Sequence, residues 1–417
     1  MMRKRFMRLV GRAGALALLG MVLAGPATSR LWALGEKSQE AFLRMRTVIF
    51  YDTKFSARKF KVGDEMTMTG KFQLLPIWPR EIAFSGITWV NFFVPGPQFL
   101  RLGTWVNNRF QSCSQLLELG GTYEYKILGR ARYPGHWPVG VMVSMKDAGP
   151  LIGPSTYVDV EGTHEGFTNP VKTLLGNTVN LEDYGQNRML IWTLVTSLIG
   201  VAWLGFWMGR PFASRLGVVA AGRAKELISG ADKAVALIFG LGTIALIVVA
   251  NVVTASQFPH TIPIQETIIK NDPLPPEPSH VEAKVLDATY DVPSRTLAFR
   301  VEVHNIGDRP LVLKEFTTAN VRFLNEQVPG NVWNPDFPEV YGGAMKVTPS
   351  DPVAPGETKV LEVVMASAEW ENQRLTMYHE TTNRFGGLLF FSDPSGERSI
   401  IAVADQLVIP KFGITQM

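Results

Sequence analysis

The hydrophobic residues of this chain fall into three kinds of run, and each predicts a different element. The first is an uncharged stretch from Ala13 to Ala24. It follows a basic start carrying Arg3, Lys4, Arg5, Arg8 and Arg12, and precedes Gly25 and Pro26. A basic n-region, a twelve-residue apolar core and small residues behind it predict a secretory signal peptide over 1–33, with cleavage open among Ala24, Ala27, Ser29 and Ala33. Twelve residues are too few to cross a bilayer, which takes about 20. The second kind does reach that length. Met189 to Gly209 and Ala234 to Ala255 give 21 and 22 residues without a charge. At a rise of ~1.5 Å per residue each spans roughly 32 Å as a helix.

The third kind is short and alternating. Val48-Ile49-Phe50-Tyr51, Met66-Thr67-Met68-Thr69, Tyr123-Glu124-Tyr125-Lys126-Ile127 and Tyr157-Val158-Asp159-Val160 read as strands. Pro95-Gly96-Pro97, Pro134-Gly135 and Gly149-Pro150 punctuate them as turns. A β-sandwich is therefore expected over 34–188, opening with a polar, helix-compatible run from Gly35 to Arg46. Residues 256–279 end in Pro273-Leu274-Pro275-Pro276-Glu277-Pro278 and predict an extended, stiff linker. Beyond it Val281 to Val285, Leu297 to Val303 and Val360 to Val364 alternate again, around turns at Asn305-Ile306-Gly307-Asp308 and Pro355-Gly356-Glu357. This predicts a second sandwich over 280–417, immunoglobulin-like or cupredoxin-like.

Composition refines the picture. The 417 residues are 46% hydrophobic, enough for sizeable cores and too apolar for a disordered chain. The formal charge of +4 points towards nucleic acid only until it is located. Residues 1–33 hold six Lys/Arg and no acid, and residues 210–233 hold five against two. Everything else carries 30 basic and 35 acidic residues. The basic excess is thus a targeting and topology signal. Arg210, Arg215, Arg223, Lys225 and Lys233 make 210–233 a cytoplasmic loop by the positive-inside rule, and both sandwiches then lie outside. The signal peptide sends the first sandwich to that same side. Neither span carries an ionisable residue, so anchoring or packing is expected of them and not transport. Gly205 and Gly209 have the spacing that lets helices approach closely.

Chemistry is sparse. The single cysteine, Cys113, excludes a disulfide framework and any cysteine-rich metal site, and is read as a buried thiol. His136, His164, His260, His280, His304 and His379 are scattered, no two within four residues, so no local imidazole pair exists to chelate a metal. A blue-copper pattern fails because the next histidine after Cys113 comes 23 residues later. No phosphate-binding loop, nucleophile elbow or HExxH is present. Paired carboxylates such as Asp64-Glu65 sit in turns, where solvation accounts for them.

The order of parts is distinctive: signal, sandwich, two spans, proline-rich segment, second sandwich. So are particular words: Gly35-Glu36-Lys37-Ser38-Gln39 with Ala41-Phe42, Arg44-Met45-Arg46-Thr47, Gly149-Pro150-Leu151-Ile152-Gly153-Pro154 and Gly200-Val201-Ala202-Trp203. Arg223-Ala224 with Glu226-Leu227, Asp287-Ala288-Thr289-Tyr290, Val321-Arg322-Phe323-Leu324, Ala354-Pro355-Gly356-Glu357-Thr358 and Phe385-Gly386-Gly387-Leu388-Leu389-Phe390-Phe391 continue the series. Over nearly the whole mature length the chain resembles the B subunit of the copper membrane monooxygenases, the particulate methane and ammonia monooxygenases. The resemblance implies a mainly-β protein, with two cupredoxin-like domains outside the membrane flanking a two-helix transmembrane hairpin. It also implies assembly with two integral-membrane subunits of A and C type, repeated as a trimer, in a bacterial inner or intracytoplasmic membrane.

The sequence departs from that family at its copper site. Typical members begin with a histidine before Gly-Glu-Lys, and its amine and ring bind copper together with two histidines of a Trp-His-x-His run. Here Leu34 precedes Gly35-Glu36-Lys37, and the run after Pro134-Gly135 reads Trp137-Pro138-Val139-Gly140. Leucine, proline and glycine have no donor side chain. His136, one residue before Trp137, lacks two partners and is read as a surface histidine. The resemblance therefore implies a structural, assembly-bearing subunit with no catalytic, cofactor or metal residues of its own, copper being held by a partner. Within the family such loss marks methane-oxidising members of an acid-living branch, which favours methane over ammonia as substrate. The rival is a stand-alone, membrane-anchored copper-binding or electron-delivering protein, with His280, His304 and His379 converging in the second sandwich. A weaker third reading is an adhesion or chaperone-like module, since sandwiches host many functions.

Overall fold

The computed structural model describes residues 43–173, 176–208, 212–258, 267–277, 279–373, 375 and 384–408. It divides into two compact units, one comprising both sandwiches and the other residues 166–266.

The first sandwich is built from β1 (Val48–Phe55), β2 (Lys59–Lys61), β3 (Glu65–Leu74), β4 (Ile87–Phe93), β5 (Phe99–Val106), β6 (Arg109–Phe110), β7 (Ser114–Leu116), β8 (Thr122–Ala131), β9 (Gly135–Met145) and β10 (Gly149–Glu161). One sheet runs β1-β3-β8-β5-β6 and the other contains β7-β4-β9-β10-β2. The alternation read in the sequence decides which side chains face inward. Met66, Met68 and Phe72 of β3 and Tyr123, Tyr125 and Ile127 of β8 are all buried. Phe72 stacks on Tyr123 with ring centroids 5.5 Å apart.

Two segments lie elsewhere than the sequence pattern suggested. Residues 166–188, expected within the first sandwich, form a separate hairpin of β11 (Pro170–Lys172) and β12 (Thr178–Asn180), which joins neither sheet. Residues 256–279, expected as a linker, contribute β13 (Ile268–Lys270), which pairs with β7 in parallel. A side-chain amide explains why this stretch packs: Asn271 is buried and donates to Val106 O at 3.1 Å and Gln115 Oε1 at 3.3 Å. Further on, Leu274 N donates to Thr122 O at 2.8 Å, so the proline-rich stretch straps down the first sandwich.

The second sandwich is one rolled sheet. Its strands are β14 (Val281–Asp291), β15 (Thr296–Asn305), β16 (Val312–Thr318), β17 (Val321–Asn325), β18 (Val340–Thr348), β19 (Thr358–Ala366), β20 (Arg384–Ser392) and β21 (Arg398–Gln406), in the order β14-β15-β19-β18-β17-β16-β20-β21. Just past β21, Val408 exchanges hydrogen bonds with β14: Tyr290 N donates to Val408 O at 3.0 Å and Val408 N to Ala288 O at 2.9 Å. Closure of this kind removes exposed edges. Phe299, Phe316, Phe323, Phe385 and Trp370 fill the interior, each 1% exposed or less.

The two sandwiches share a third apolar cluster. Ile49, Tyr51 and Leu75 of the first are buried against Leu388 and Phe390 of the second, with Ile77, Ile400 and Ala402 packed around them. Val48 and Phe50 point the other way, into the first core, so β1 is covered on both faces. Polar contacts cross the same seam. Asn320 Nδ2 donates to Ile152 O at 3.1 Å, and Arg58 Nη2 to Pro335 O at 2.5 Å. Arg398 grips Asp52 with two hydrogen bonds of 2.9 and 2.5 Å. Asp52 lies at a β-bulge with φ of 54°, a left-handed conformation Asp tolerates, and the bulge re-aims its side chain out of the ladder.

Described by itself, the other unit holds two long helices, Gln186–Met208 and Gly230–Gln257, both long and apolar enough to cross a membrane. They extend a few residues beyond the spans read from the sequence. Trp203 stacks on Phe239 across the pair at 4.3 Å. Arg188 ties the other end, donating to Gln257 Oε1 and Thr254 Oγ1, each at 2.7 Å. Ser229 and Asp232 form a capping box at the start of the second helix.

If the seam is a packed core, Leu388→Ala should destabilise the protein by about 2–5 kcal/mol, the range for a buried leucine. A chemical denaturation curve of the purified protein measures it. A change within about 0.5 kcal/mol would mean that the seam carries no packing energy.

Candidate functional site

Pro138 and Gly140 lie on a strand pair, β9 against β10. Val139, Val141 and Val143 of β9 turn into the core, which places Pro138 and Gly140 together on the opposite face. Proline is tolerated at 138 because β4, the neighbour on one side, ends at Phe93, opposite Gly140. Gly140 also pairs with Ser155 of β10, beside the bulge between Ile152 and Ser155. A Cβ built on Gly140 would stand 2.7 Å from Pro154 O and 2.8 Å from Ser155 Cβ, closer than such contacts occur. The backbone therefore fills the space a third ligand would need. Leu34 lies outside the described residues.

The histidines do not converge. His136 Nδ1 is 2.7 Å from Asp159 Oδ1, its partner across the strand pair, and the ring lies flat on Tyr157 at 4.6 Å. His164 stacks on Tyr133 at 4.1 Å and places Nδ1 3.0 Å from Arg132 O. In the second sandwich the strand register puts His280 and His304 on one outer face, since Glu282 lies opposite His304. Their rings then turn apart. His280 Nε2 faces Glu397 at 3.4 Å on one side, while His304 Nδ1 meets Thr358 Oγ1 at 2.9 Å on the other. His260 and His379 lie outside the described residues. Among the described residues no group of three or more His, Cys, Asp or Glu is placed to hold a metal ion. Cys113 is a buried free thiol.

Two clefts in the sandwich unit bring no further ligands. One of about 490 Å³ lies under the strap, lined by Tyr51, Gln73, Thr122, Pro275, Glu277 and Ile400 among others. The other, about 440 Å³, is lined by Arg46, Trp78, Arg80, Glu81, Arg384 and Asp405 among others. The residues lining them include no histidine or cysteine.

The family assignment settles what kind of protein this architecture serves. The family model for the monooxygenase B subunit protein matches residues 35–412, nearly the whole chain. The chain belongs to the monooxygenase B subunit family. A protein of Methylococcus capsulatus (strain Bath) named particulate methane monooxygenase alpha subunit is 38% identical over 412 residues, covering 97% of this chain and 98% of that one. Among solved structures, the cupredoxin domain of amoB from Nitrosocaldus yellowstonii is similar at 17% identity, over 32% of this chain and 98% of that domain, with a TM-score of 0.25. Membership makes the chain one subunit of a multisubunit, membrane-associated monooxygenase in which copper is implied. The implied metal does not fit β9: Pro138 and Gly140 offer no donor, and position 140 has no room for one.

Four of the words behind the resemblance, Arg44–Thr47, Gly149–Pro154, Val321–Leu324 and Phe385–Phe391, meet at the seam. Arg44-Met45-Arg46-Thr47 packs on Phe385–Phe391, where a Cβ at Gly386 would sit 2.9 Å from Arg46 Cγ and 3.1 Å from Met45 O. The Gly149–Pro154 run supplies the Ile152 carbonyl that Asn320 binds. Sequence reasoning passed over the charges there, Asp52, Glu315, Arg322, Glu339 and Arg398. The signal that could have found them was Arg322, a lone cation inside the apolar word Val321-Arg322-Phe323-Leu324. Burial pushes the Asp52 carboxyl up, but Arg398's hydrogen bonds and charge outweigh it and hold the group below its ordinary range. By contrast Asp64 and Glu65 are exposed, Asp64 closing the turn before β3 and Glu65, expected in a turn, opening that strand and pairing across it with Arg130 at 2.8 Å.

Gly140→His should therefore disrupt the β9–β10 pair and lower the unfolding midpoint, whereas Pro138→His should be accommodated on the partly open face. Thermal unfolding of the two single variants compares them. Equal midpoints would mean that position 140 has room for a ligand after all.

Proposed function

We propose that this chain is the largely periplasmic, membrane-anchored B subunit of a particulate methane monooxygenase, serving assembly while copper-dependent oxygen chemistry takes place on a partner. The reaction puts one atom of O2 into methane to give methanol. The other atom leaves as water, with two electrons and two protons drawn from a reductant. Copper, held by a partner subunit, would supply oxygen activation. This chain's residues would supply a rigid external body and two membrane helices for the A- and C-type subunits to pack on, repeated as a trimer of heterotrimers.

The observation that carries the reading is the filled space at Gly140, together with the packed seam at which four of the resemblance words meet. The relative at 38% identity is named for methane, which favours that substrate, with ammonia the competitor within the resemblance. The signal-like start and the basic 210–233 segment favour external sandwiches and a cytoplasmic loop.

Isolation through an affinity tag on this chain should bring down two hydrophobic subunits, and methane hydroxylation should appear only in that complex. His136→Ala, His280→Ala and His304→Ala should leave its copper content and turnover unchanged. Loss of one copper per protomer with any of these variants would place a metal on this chain and overturn the assembly role.

A further inference from the structure

The seam between the sandwiches holds a carboxylate with too few partners. Glu339, immediately before β18, is 2% exposed. Its Oε1 accepts from Thr53 N at 3.4 Å, and Thr53 Oγ1 in turn lies 2.9 Å from the Tyr125 hydroxyl. Its Oε2 has no hydrogen-bond partner, nor has Arg322 Nη1, which faces it from 4.0 Å. Arg322 is committed instead to Glu315 through Nε at 2.8 Å and Nη2 at 2.5 Å, and Thr317 Oγ1 also donates to that carboxylate. Of the charged groups at the seam, Arg322 of β17 acts on Glu339 directly, and Arg322 in turn feels Glu315 of β16 and Asp52 of β1. Asp52 is held by Arg398 of β21 with Lys71 of β3 also near it, and Glu277 of the strap acts on Arg398. The cation that faces Glu339 is therefore one that Glu315 already binds.

We propose that Glu339 is a proton-binding site that controls how tightly the two sandwiches close on each other. Protonated, it leaves Arg322 paired with Glu315. Ionised, it draws Arg322 across the 4.0 Å gap and away from that pairing. Arg322 carries the 326–339 loop with it, because its guanidinium lies 4.3 Å from the Phe337 ring centre and 5.9 Å from that of Trp333. The same loop is held from the first sandwich by Arg58 through Pro335 O. A change at Glu339 therefore moves a segment that both sandwiches grip, and the proton exchanges with bulk water when that segment opens.

The direction of the effect follows from burial, which pushes the Glu339 carboxyl from 4.5 up to about 7 against the pull of Arg322 and its hydrogen bonds. The closed state holds a proton that the opened state releases. Closure is therefore fully favoured below the open-state value and weakens as pH rises towards about 7, after which it levels. A one-proton difference changes the opening equilibrium by up to about tenfold per pH unit within that window.

Hydrogen-exchange mass spectrometry of the intact complex between about pH 5 and about pH 8, corrected for intrinsic exchange, reads this opening at 326–339. The expected result is opening that increases with pH in the native protein and is independent of pH in Glu339→Gln. The same pH dependence in both proteins, or none in the native one, overturns the proposal. Infrared difference spectroscopy of the native complex guards against a variant that fails to fold. It should lose one buried carboxylic-acid carbonyl band near neutral pH, and absence of such a band also overturns the proposal.

Discussion

A strand buried on both faces has nowhere to put a solvated side chain, and the first half of β1, Val48 to Tyr51, is such a stretch. Val48 and Phe50 complete the first sandwich while Ile49 and Tyr51 complete the seam with the second. The run Val-Ile-Phe-Tyr is the sequence this double duty requires, since alternation would leave one face polar. From it follow the other features of the junction. Gly386 must lack a side chain where Met45 and Arg46 cross it, and Asp52 must bulge out of the ladder to reach Arg398. Without β1 packed on both sides, each sandwich would expose an apolar surface, and the two would have no reason to hold one geometry.

Most of the fold was legible because its strands obey local rules. The Met-Thr-Met-Thr and Tyr-Glu-Tyr-Lys-Ile alternations placed inward faces correctly, and the two uncharged stretches became two long helices. What escaped was decided by distant partners. Nothing near Ile268-Ile269-Lys270 announces that β7 awaits it, and the burial of Asn271 depends on Val106 and Gln115, more than 150 positions away. The separate β11–β12 hairpin escaped for a related reason. Strand-like composition over 170–180 says nothing about which sheet, if any, a strand joins.

At the candidate site the residues alone established absence of donors but not why the absence is built in. Proline and glycine at 138 and 140 looked like simple losses. The strand pair gives them another character. Proline occupies a place where one neighbouring strand has already ended, and glycine occupies one where the opposing bulge at Pro154–Ser155 leaves no volume. The local backbone arrangement itself leaves no place for a ligand side chain at 140. The histidines make the same point in reverse. Register alone puts His280 and His304 on one face, yet Glu397 and Thr358 pull their rings to opposite sides.

The distribution of polar groups then argues for what the chain contributes to its family's enzyme. The two long helices carry no ionisable residue between Met189 and Met208 or between Ala234 and Gln257. One cleft is lined by prolines, Tyr51 and Glu277, and the other by arginines with Glu81 and Asp405, of which Glu81 pairs with Arg46 at 3.8 Å. Among the described residues of the sandwich unit, Arg46, Glu315 and Glu339 are buried and Asp52 and Arg322 half-buried at or beside the seam, with Asp393 buried elsewhere in the second sandwich; burial makes an unmatched group expensive and a matched one geometrically demanding. Charges retained under that penalty serve orientation: Arg322 can satisfy Glu315 only when β16 and β17 are in register, and Thr53 can meet Glu339 only when β1 lies across the loop before β18. The junction is therefore held by apolar packing and by ion pairs that need β1, β17 and β21 to meet in one order, and the assembly role proposed for this chain rests on that junction.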